Sequence, residues 1–437
     1  MPSHEIHEGD ALAILRTLPS DHYHGSLTDP PYGLSFMGHA WDHGVPSVEV
    51  WAEVLRCLRP GAHLLAFGGT RTFHRLTCAI EDAGFEIRDC MMWLYGSGFP
   101  KSHDVSKAID REAGAAREAV GPLGMSGKSR AAMAGPSAGE YSASLPATEA
   151  ARQWSGHGTA LKPAWEPIIV ARKPLDGTVA ENVQRWGCGG MAIDACRVGT
   201  EPVTTVRPEA SKTGKVLGAF RGGPSSTHLG RWPANVIMDE EAGAMLDAQT
   251  EGKLHSAGYA TDGKHCPGAK PSGGVIYGKR GAGPVPRVGD SGGASRFFMS
   301  CDFSPNEVSG SRFMYCPKAS RAERDAGLEE FELLPNGQQY GTIQNTPNPA
   351  MRNIHPTVKP IALARYLARL ILPPIHDARM LTPFSGSGSE VIGALQAGWS
   401  HVDGIDSWDV AVRISRARIA HWSEKLSGPV QLDLTGE

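Results

Sequence analysis

Little in this chain is extreme, and each shortfall narrows what it can do. None of the eight cysteines (Cys57, Cys78, Cys90, Cys188, Cys196, Cys266, Cys301, Cys316) falls in a C-x-x-C pair. A disulfide framework or zinc ribbon is therefore not expected, and reduced thiols are. Cys188 and Cys196 with His265-Cys266 match no standard zinc spacing, so no metal is expected. No apolar run approaches the roughly 18 residues of a membrane span; Leu370-Ile371-Leu372 stops at Pro373-Pro374. The polar start MPSHEIHEGD has no basic stretch ahead of an apolar core, so a secretory leader is not expected and a cytoplasmic location is. Aromatics make up only 7% of the residues, and the net charge is −3 in 437 residues.

That near-neutral total hides an asymmetry. Residues 101–320 hold 26 Lys/Arg against 21 Asp/Glu, and the rest of the chain is negative. A positive middle suits an anionic partner, although chance distribution accounts for it equally well. The chain also exceeds the size at which single cores stop growing, so one large domain with an insertion, or two domains, is expected.

Three zones follow from texture. In residues 1–100 short apolar runs alternate with helical patterns: GSLTDPPY, VEVWAEVLRCL, HLLAFGG, RTFHRLTCAIEDAG, MMWLY. This alternation predicts parallel βαβ units. Gly61 and Gly84 stand where helix C-caps belong. Residues 101–350 are rich in Gly, Ala and Ser, above all near 121–140 and 271–293, and are expected to contain loops that order on contact with a partner. Islands such as AWEPIIVARKP and RWPANVIM look foldable. Residues 351–437 return to the α/β pattern, with ARMLTPFSGSGS as strand and turn, EVIGALQAGW as helix and HVDGID as strand. Two α/β fragments flanking a long middle predict one sheet built from both ends of the chain.

Two motifs carry chemistry. In PFSGSGS, Gly386 and Gly388 lie between a strand and a helix, where a ligand can approach the backbone and the helix N-terminus favours negative charge. A tight turn without ligand gives the same pattern. Asp406 ends the next strand, at the place where an acid accepts hydrogen bonds from ribose hydroxyls, so the pair favours an adenosine-containing cofactor. G-K-[ST] is absent, which excludes a Walker-type triphosphate cradle. Far upstream, Asp29-Pro30-Pro31-Tyr32 sets an acid and a ring on a stiffened backbone. By itself it is equally a turn with a half-buried ring.

TDPPY, then HPTVKP at His355–Pro360, then PFSGSGS together resemble the amino-group DNA methyltransferases, and their order resembles the β class. The resemblance covers residues 1–100 and 351–437; the middle matches only by position, as a target-recognition region. It implies an α/β, circularly permuted, Rossmann-like methyltransferase sheet with a large inserted region at 101–350. It also implies S-adenosyl-L-methionine as cofactor and double-stranded DNA as partner. A second copy of the chain and a cognate restriction endonuclease are the candidate protein partners.

The family pattern assigns roles residue by residue. The Asp29 carboxylate and Pro30 carbonyl would accept the two N–H hydrogens of a base amino group and aim its lone pair at the methyl. Pro31 would hold the turn rigid, and Tyr32 would stack on a flipped-out base. Asp10 matches the position that binds the cofactor adenine, and is equally an N-cap for the helix at Ala11. Thr357 and Lys359 match the residues that hold the methionine carboxylate, Lys359 being otherwise an ordinary surface lysine. Phe384, Gly386, Gly388 and Ser389 form the cofactor loop, and Asp406 would hold the ribose. Trp93 is a candidate wall for the base pocket and, more simply, a core residue. Thr382 departs from the family, which usually carries Asp there to help bind the methionine ammonium; weaker cofactor affinity is expected. Asp at the first position of DPPY leans to N6 of adenine, with N4 of cytosine as the alternative. A DNA-binding protein that senses the cofactor without catalysis is the rival from another class.

Overall fold

In a computed structural model the alternation of apolar runs and helical patterns becomes one nine-stranded sheet with helices on both faces. The structure describes residues 2–34, 44–95, 102–122, 142–205, 226–238, 240–250, 299–300, 319–333 and 352–426. Its strands are β1 (Ser3–Glu8), β2 (Tyr23–Thr28), β3 (Leu58–Phe67), β4 (Glu86–Leu94), β5 (Glu118–Pro122), β6 (Ser142–Leu145), β7 (Trp165–Arg172), β8 (Val198–Thr205), β9 (Ser226–Arg231), β10 (Val236–Met238), β11 (Met299–Ser300), β12 (Arg379–Pro383) and β13 (His401–Asp406). The sheet runs β1-β13-β12-β2-β3-β7-β4-β10-β11, while β5-β6 and β8-β9 form two separate pairs. All neighbours in the large sheet are parallel except β7, which is antiparallel to both β3 and β4.

The two faces bury separate cores. Helices Ala11–Thr17, Val48–Cys57 and Phe73–Asp82 cover one face through Leu15, Trp51, Val54, Leu76 and Ile80. Helices Ile361–Leu370, Ser389–Ala397 and Asp409–Leu426 cover the other through Leu363, Leu367, Ile392 and Ile419, with Trp399 just past the second of them. A parallel sheet covered on both faces buries its strands completely, and every residue of β2 is buried. Space there is tight: a side chain on Gly25 would come 3.0 Å from the Trp399 ring. Trp93 is 1% exposed and packs against Tyr95 within the core, at a ring separation of 5.1 Å.

One reading of the sequence needs correction, that of Gly61, and two features of the sheet were not expected from it. The polar segment SHEIHE does not announce a strand, yet it forms β1, an edge strand in which only Ile6 is buried. Gly61 does not cap a helix. The helix ends at Cys57, β3 starts at Leu58, and Gly61 takes a left-handed φ of 82° where the Asn182 side chain lies against its Cα. Gly84, at φ 105°, does follow its helix as expected. The stretch 101–350, expected as an inserted region, also supplies strands to the sheet. β7 lies between β3 and β4, and β10 and β11 extend the edge. The Gly-rich segments near 121–140 and 271–293 fall almost wholly outside the described residues.

Candidate active site

The pairing of β2 with β12 explains why two motifs some 350 residues apart meet. Met380 and Leu381 lie beside Gly25 and Ser26 in parallel register, so both strands deliver their C-terminal loops to one edge. Open parallel sheets bind ligands at that edge. The Thr28 hydroxyl locks the junction by donating to the Pro383 carbonyl. From Thr28 the chain runs directly into Asp29-Pro30-Pro31-Tyr32, and from Pro383 into the glycine loop. β13, on the far side of β12, ends at Asp406 on the same edge.

A cavity of about 440 Å³ opens there, within the usual size of small-molecule sites. Asp10, Asp29, Pro30, Pro31, Tyr32, Thr357, Lys359, Phe384, Gly386, Ser389 and Asp406 all line it. Two candidate residues do not. Gly388 takes φ 81° at the start of helix Ser389–Ala397, where a Cβ would press on the Ser415 hydroxyl at 2.5 Å. It serves helix packing. Thr382 is completely buried in β12, its hydroxyl has no partner among the described residues, and it does not reach the cavity wall.

The glycine loop is held from three sides. Phe384, a non-glycine residue at φ 56°, carries the strain of the turn. Gly386, at φ 50°, donates its N–H to Asp406 Oδ2 at 2.8 Å, and a Cβ there would sit 3.0 Å from the His355 ring. Asp406 Oδ1 accepts the Trp408 N–H at 2.9 Å. From below, the fully buried Arg418 donates to the Ser387 carbonyl at 2.6 Å and to the Ser389 hydroxyl at 3.2 Å. Burial pushes the Arg418 guanidinium down to about 10, which leaves it charged at neutral pH. His355 packs against the Trp408 ring, and burial lowers its imidazole to about 4, so the ring is neutral. Asp10 is an N-cap, its Oδ1 accepting the Ala13 N–H at 2.9 Å, and it also faces the cavity.

The same cavity is also lined by part of a buried cluster of charges. Lys359 Nζ sits 2.9 Å from Asp29 Oδ2 and 3.2 Å from Glu166 Oε2, and donates to the Tyr32 hydroxyl at 2.9 Å. That hydroxyl donates to Asp29 Oδ1 at 2.8 Å. Lys359 is thus no surface lysine, and its ammonium binds the DPPY acid directly. It also lies over the rings of Phe67 and Tyr32, at 4.8 and 5.2 Å. Burial raises the Asp29 carboxyl above its usual range, the Lys359 ammonium pulling the other way. Burial would lower Lys359, but Asp29 and Glu166 more than offset it and raise its pKa. Burial and the Asp29 and Glu166 charges raise the Tyr32 phenol, which stays protonated.

Glu166, Glu390, Arg418 and His355 belong to this site without having been singled out as candidates. His355 stands inside HPTVKP and was findable there. Glu166 reaches the cluster only because β7 runs backwards, bringing its first residues beside Trp93 at the C-terminal end of β4. Nothing in AWEPIIVARKP signals that reversal.

The sequence matches no family model and no curated protein. Solved structures similar to the chain include the M1.HpyAVI–SAM complex, at 12% identity and TM-score 0.35 over 95% of this chain and 99% of that one. TTHA0409, from Thermus thermophilus and complexed with S-adenosyl-L-methionine, is 14% identical, with TM-score 0.32 over 96% and 94%. The PvuII DNA methyltransferase (cytosine-N4-specific) is 10% identical, with TM-score 0.38 over 95% and 86%.

Proposed function

We propose that this protein is an S-adenosylmethionine-dependent DNA methyltransferase that modifies the N6 amino group of adenine in double-stranded DNA. One observation carries the reading: DPPY, TVK and the glycine loop, distant in sequence, converge on one cavity that Asp29 and Asp406 both line. The placement of β12, late in the chain, beside β2, early in it, supports a circularly permuted methyltransferase sheet. The positive balance of residues 101–320 supports assigning the middle region to DNA.

The residues present fit the cofactor. Asp406 has given one lone pair of each oxygen to backbone N–H groups and keeps others for ribose hydroxyls. Gly386 leaves the turn open, and Asp10 offers a second carboxylate on the wall. Bound there, S-adenosylmethionine supplies a methyl group on an electron-poor sulfur.

The rest of the chemistry belongs to the chain. A base amino group is a weak nucleophile because its lone pair is delocalised into the ring. Asp29 and the Pro30 carbonyl accept its two hydrogens and so localise the lone pair. Two lone pairs of Asp29 are taken by Tyr32 and Lys359, and two remain. As the methyl–sulfur bond broke and left a neutral thioether, the nitrogen taking the methyl would become cationic, and the same fixed acceptors would stabilise that charge in a water-poor pocket. The surplus proton then leaves through Asp29. Lys359 holds Asp29 in place and keeps the cluster from carrying two unopposed negative charges.

Incubation with methyl-labelled S-adenosylmethionine and duplex DNA, followed by nucleoside analysis, tests the reading. Labelled N6-methyladenine is expected. Labelled N4-methylcytosine would reassign the base, and cofactor binding without label in DNA would favour a sensor.

A further inference from the structure

Four acids line the cavity, and three have their charge answered. Asp10 caps a helix, Asp406 accepts two backbone N–H groups, and Asp29 is paired with Lys359. The fourth is Glu390, in the first turn of helix Ser389–Ala397, directly after the glycine loop. Its residue is 3% exposed, and its Oε1 has no hydrogen-bond partner among the described residues. A buried carboxylate oxygen without a donor costs several kcal/mol in a folded protein unless a ligand supplies one.

Resting on the cofactor reading above, we infer that Glu390 is the carboxylate that binds the ammonium group at the methionine end of S-adenosylmethionine. Glu390 lines the same cavity as Asp406 and Asp29 and lies within electrostatic reach of Asp29 and Lys359, so a ligand that fills the cavity meets it. What Glu390 lacks is a cationic donor, and the cofactor carries two positive centres. Only the ammonium has N–H bonds to give; a sulfonium has none. The groups acting on Glu390 are Asp29 from the β2 loop, Lys359 from the segment before helix Ile361–Leu370, Arg418 from helix Asp409–Leu426 and its own N–H. Burial and the Asp29 charge push its carboxyl up to about 7, against the pull of Lys359 and Arg418. An arriving ammonium reverses that balance and ionises it. The assignment also removes the puzzle of Thr382. The acid missing from β12 is supplied eight residues later, from a position that faces the cavity.

The test is Glu390→Gln, which keeps shape and removes the charge. Calorimetry with three ligands separates the amino-acid end from the sulfonium and the adenosine: S-adenosylmethionine, S-adenosylhomocysteine, which keeps the ammonium and carboxylate but has no sulfonium, and 5′-methylthioadenosine, which has none of the three; a bond lost when the Glu390 charge is removed is one to the ammonium, not to the carboxylate. The first two should bind about tenfold more weakly, the scale of a charge-assisted over a neutral hydrogen bond, with the third changed less than twofold. Equal loss for all three, loss for S-adenosylmethionine alone, or no loss at all overturns the inference. Wild-type protein that binds none of the three overturns the cofactor reading itself, and the inference with it.

Discussion

Replacing Lys359 with methionine removes the cation from the centre of the buried cluster while roughly keeping its volume. Lys359 is 6% exposed, and it faces Asp29 at 2.9 Å, Glu166 at 3.2 Å and the Tyr32 hydroxyl at 2.9 Å. The variant leaves two carboxyl groups, 10% and 17% exposed, with no cation between them. Breaking a buried pair by removing one partner costs about 3–5 kcal/mol, and here two acids lose their cation at once, so the upper part of that range is expected at pH 7. The pH dependence follows from the sign of the shifts. Burial already raises Asp29, and without Lys359 its pKa rises further. A raised acid contributes stability below its unfolded pKa that is lost as pH rises through its folded value. The deficit relative to wild type should therefore be largest at neutral pH and shrink toward pH 4.5, where the two acids take up protons. Urea denaturation at both pH values measures it. Adding Asp29→Asn and Glu166→Gln to the variant should restore most of the loss at pH 7. A Lys359→Met protein as stable as wild type at pH 7, or equally destabilised at both pH values, would refute the role assigned to the cluster.

The same geometry bears on other positions. Asp29→Ala should abolish methyl transfer yet leave S-adenosylmethionine binding within a few-fold, because Asp29 works on the base; labelled transfer and calorimetry together check this. Gly386→Val forces a branched side chain into a left-handed conformation and against the His355 ring, and should eliminate cofactor binding by calorimetry. Thr382→Asp should not tighten the cofactor by the ~1 kcal/mol expected of a charge-assisted bond. It buries an unpaired carboxylate inside β12 and should instead lower stability by about 2–4 kcal/mol in urea.

Much of the fold was legible because its signals are local. The β2, β3 and β12 strands, and the helices after them, show in short apolar runs and in periodicity. DPPY, the glycine loop and Asp406 stand at strand ends, where parallel pairing of β2 with β12 and β13 brings them together without further information. What was not legible depends on long-range packing. Glu166 enters the site through a reversed strand, from a region whose composition reads as insertion. Arg418 lies 31 residues from the Ser387 carbonyl that it holds, and helix periodicity alone marks it as one more charged residue. Thr382 looked like a defect in the cofactor loop because sequence position does not show which side chains of a buried strand face the ligand. Glu390, two residues past Gly388, looked like an ordinary first-turn acid until its burial was visible.

The central claim is methyl transfer to a base amino group through Asp29. Single-molecule sequencing of genomic DNA from a host expressing the wild-type chain, beside the same host expressing Asp29→Ala, tests it most directly. N6-methyladenine at one recurring sequence, present with wild type and absent with Asp29→Ala, is the expected result. Wild-type protein that binds S-adenosylmethionine yet leaves the host DNA without new modified bases would contradict the account.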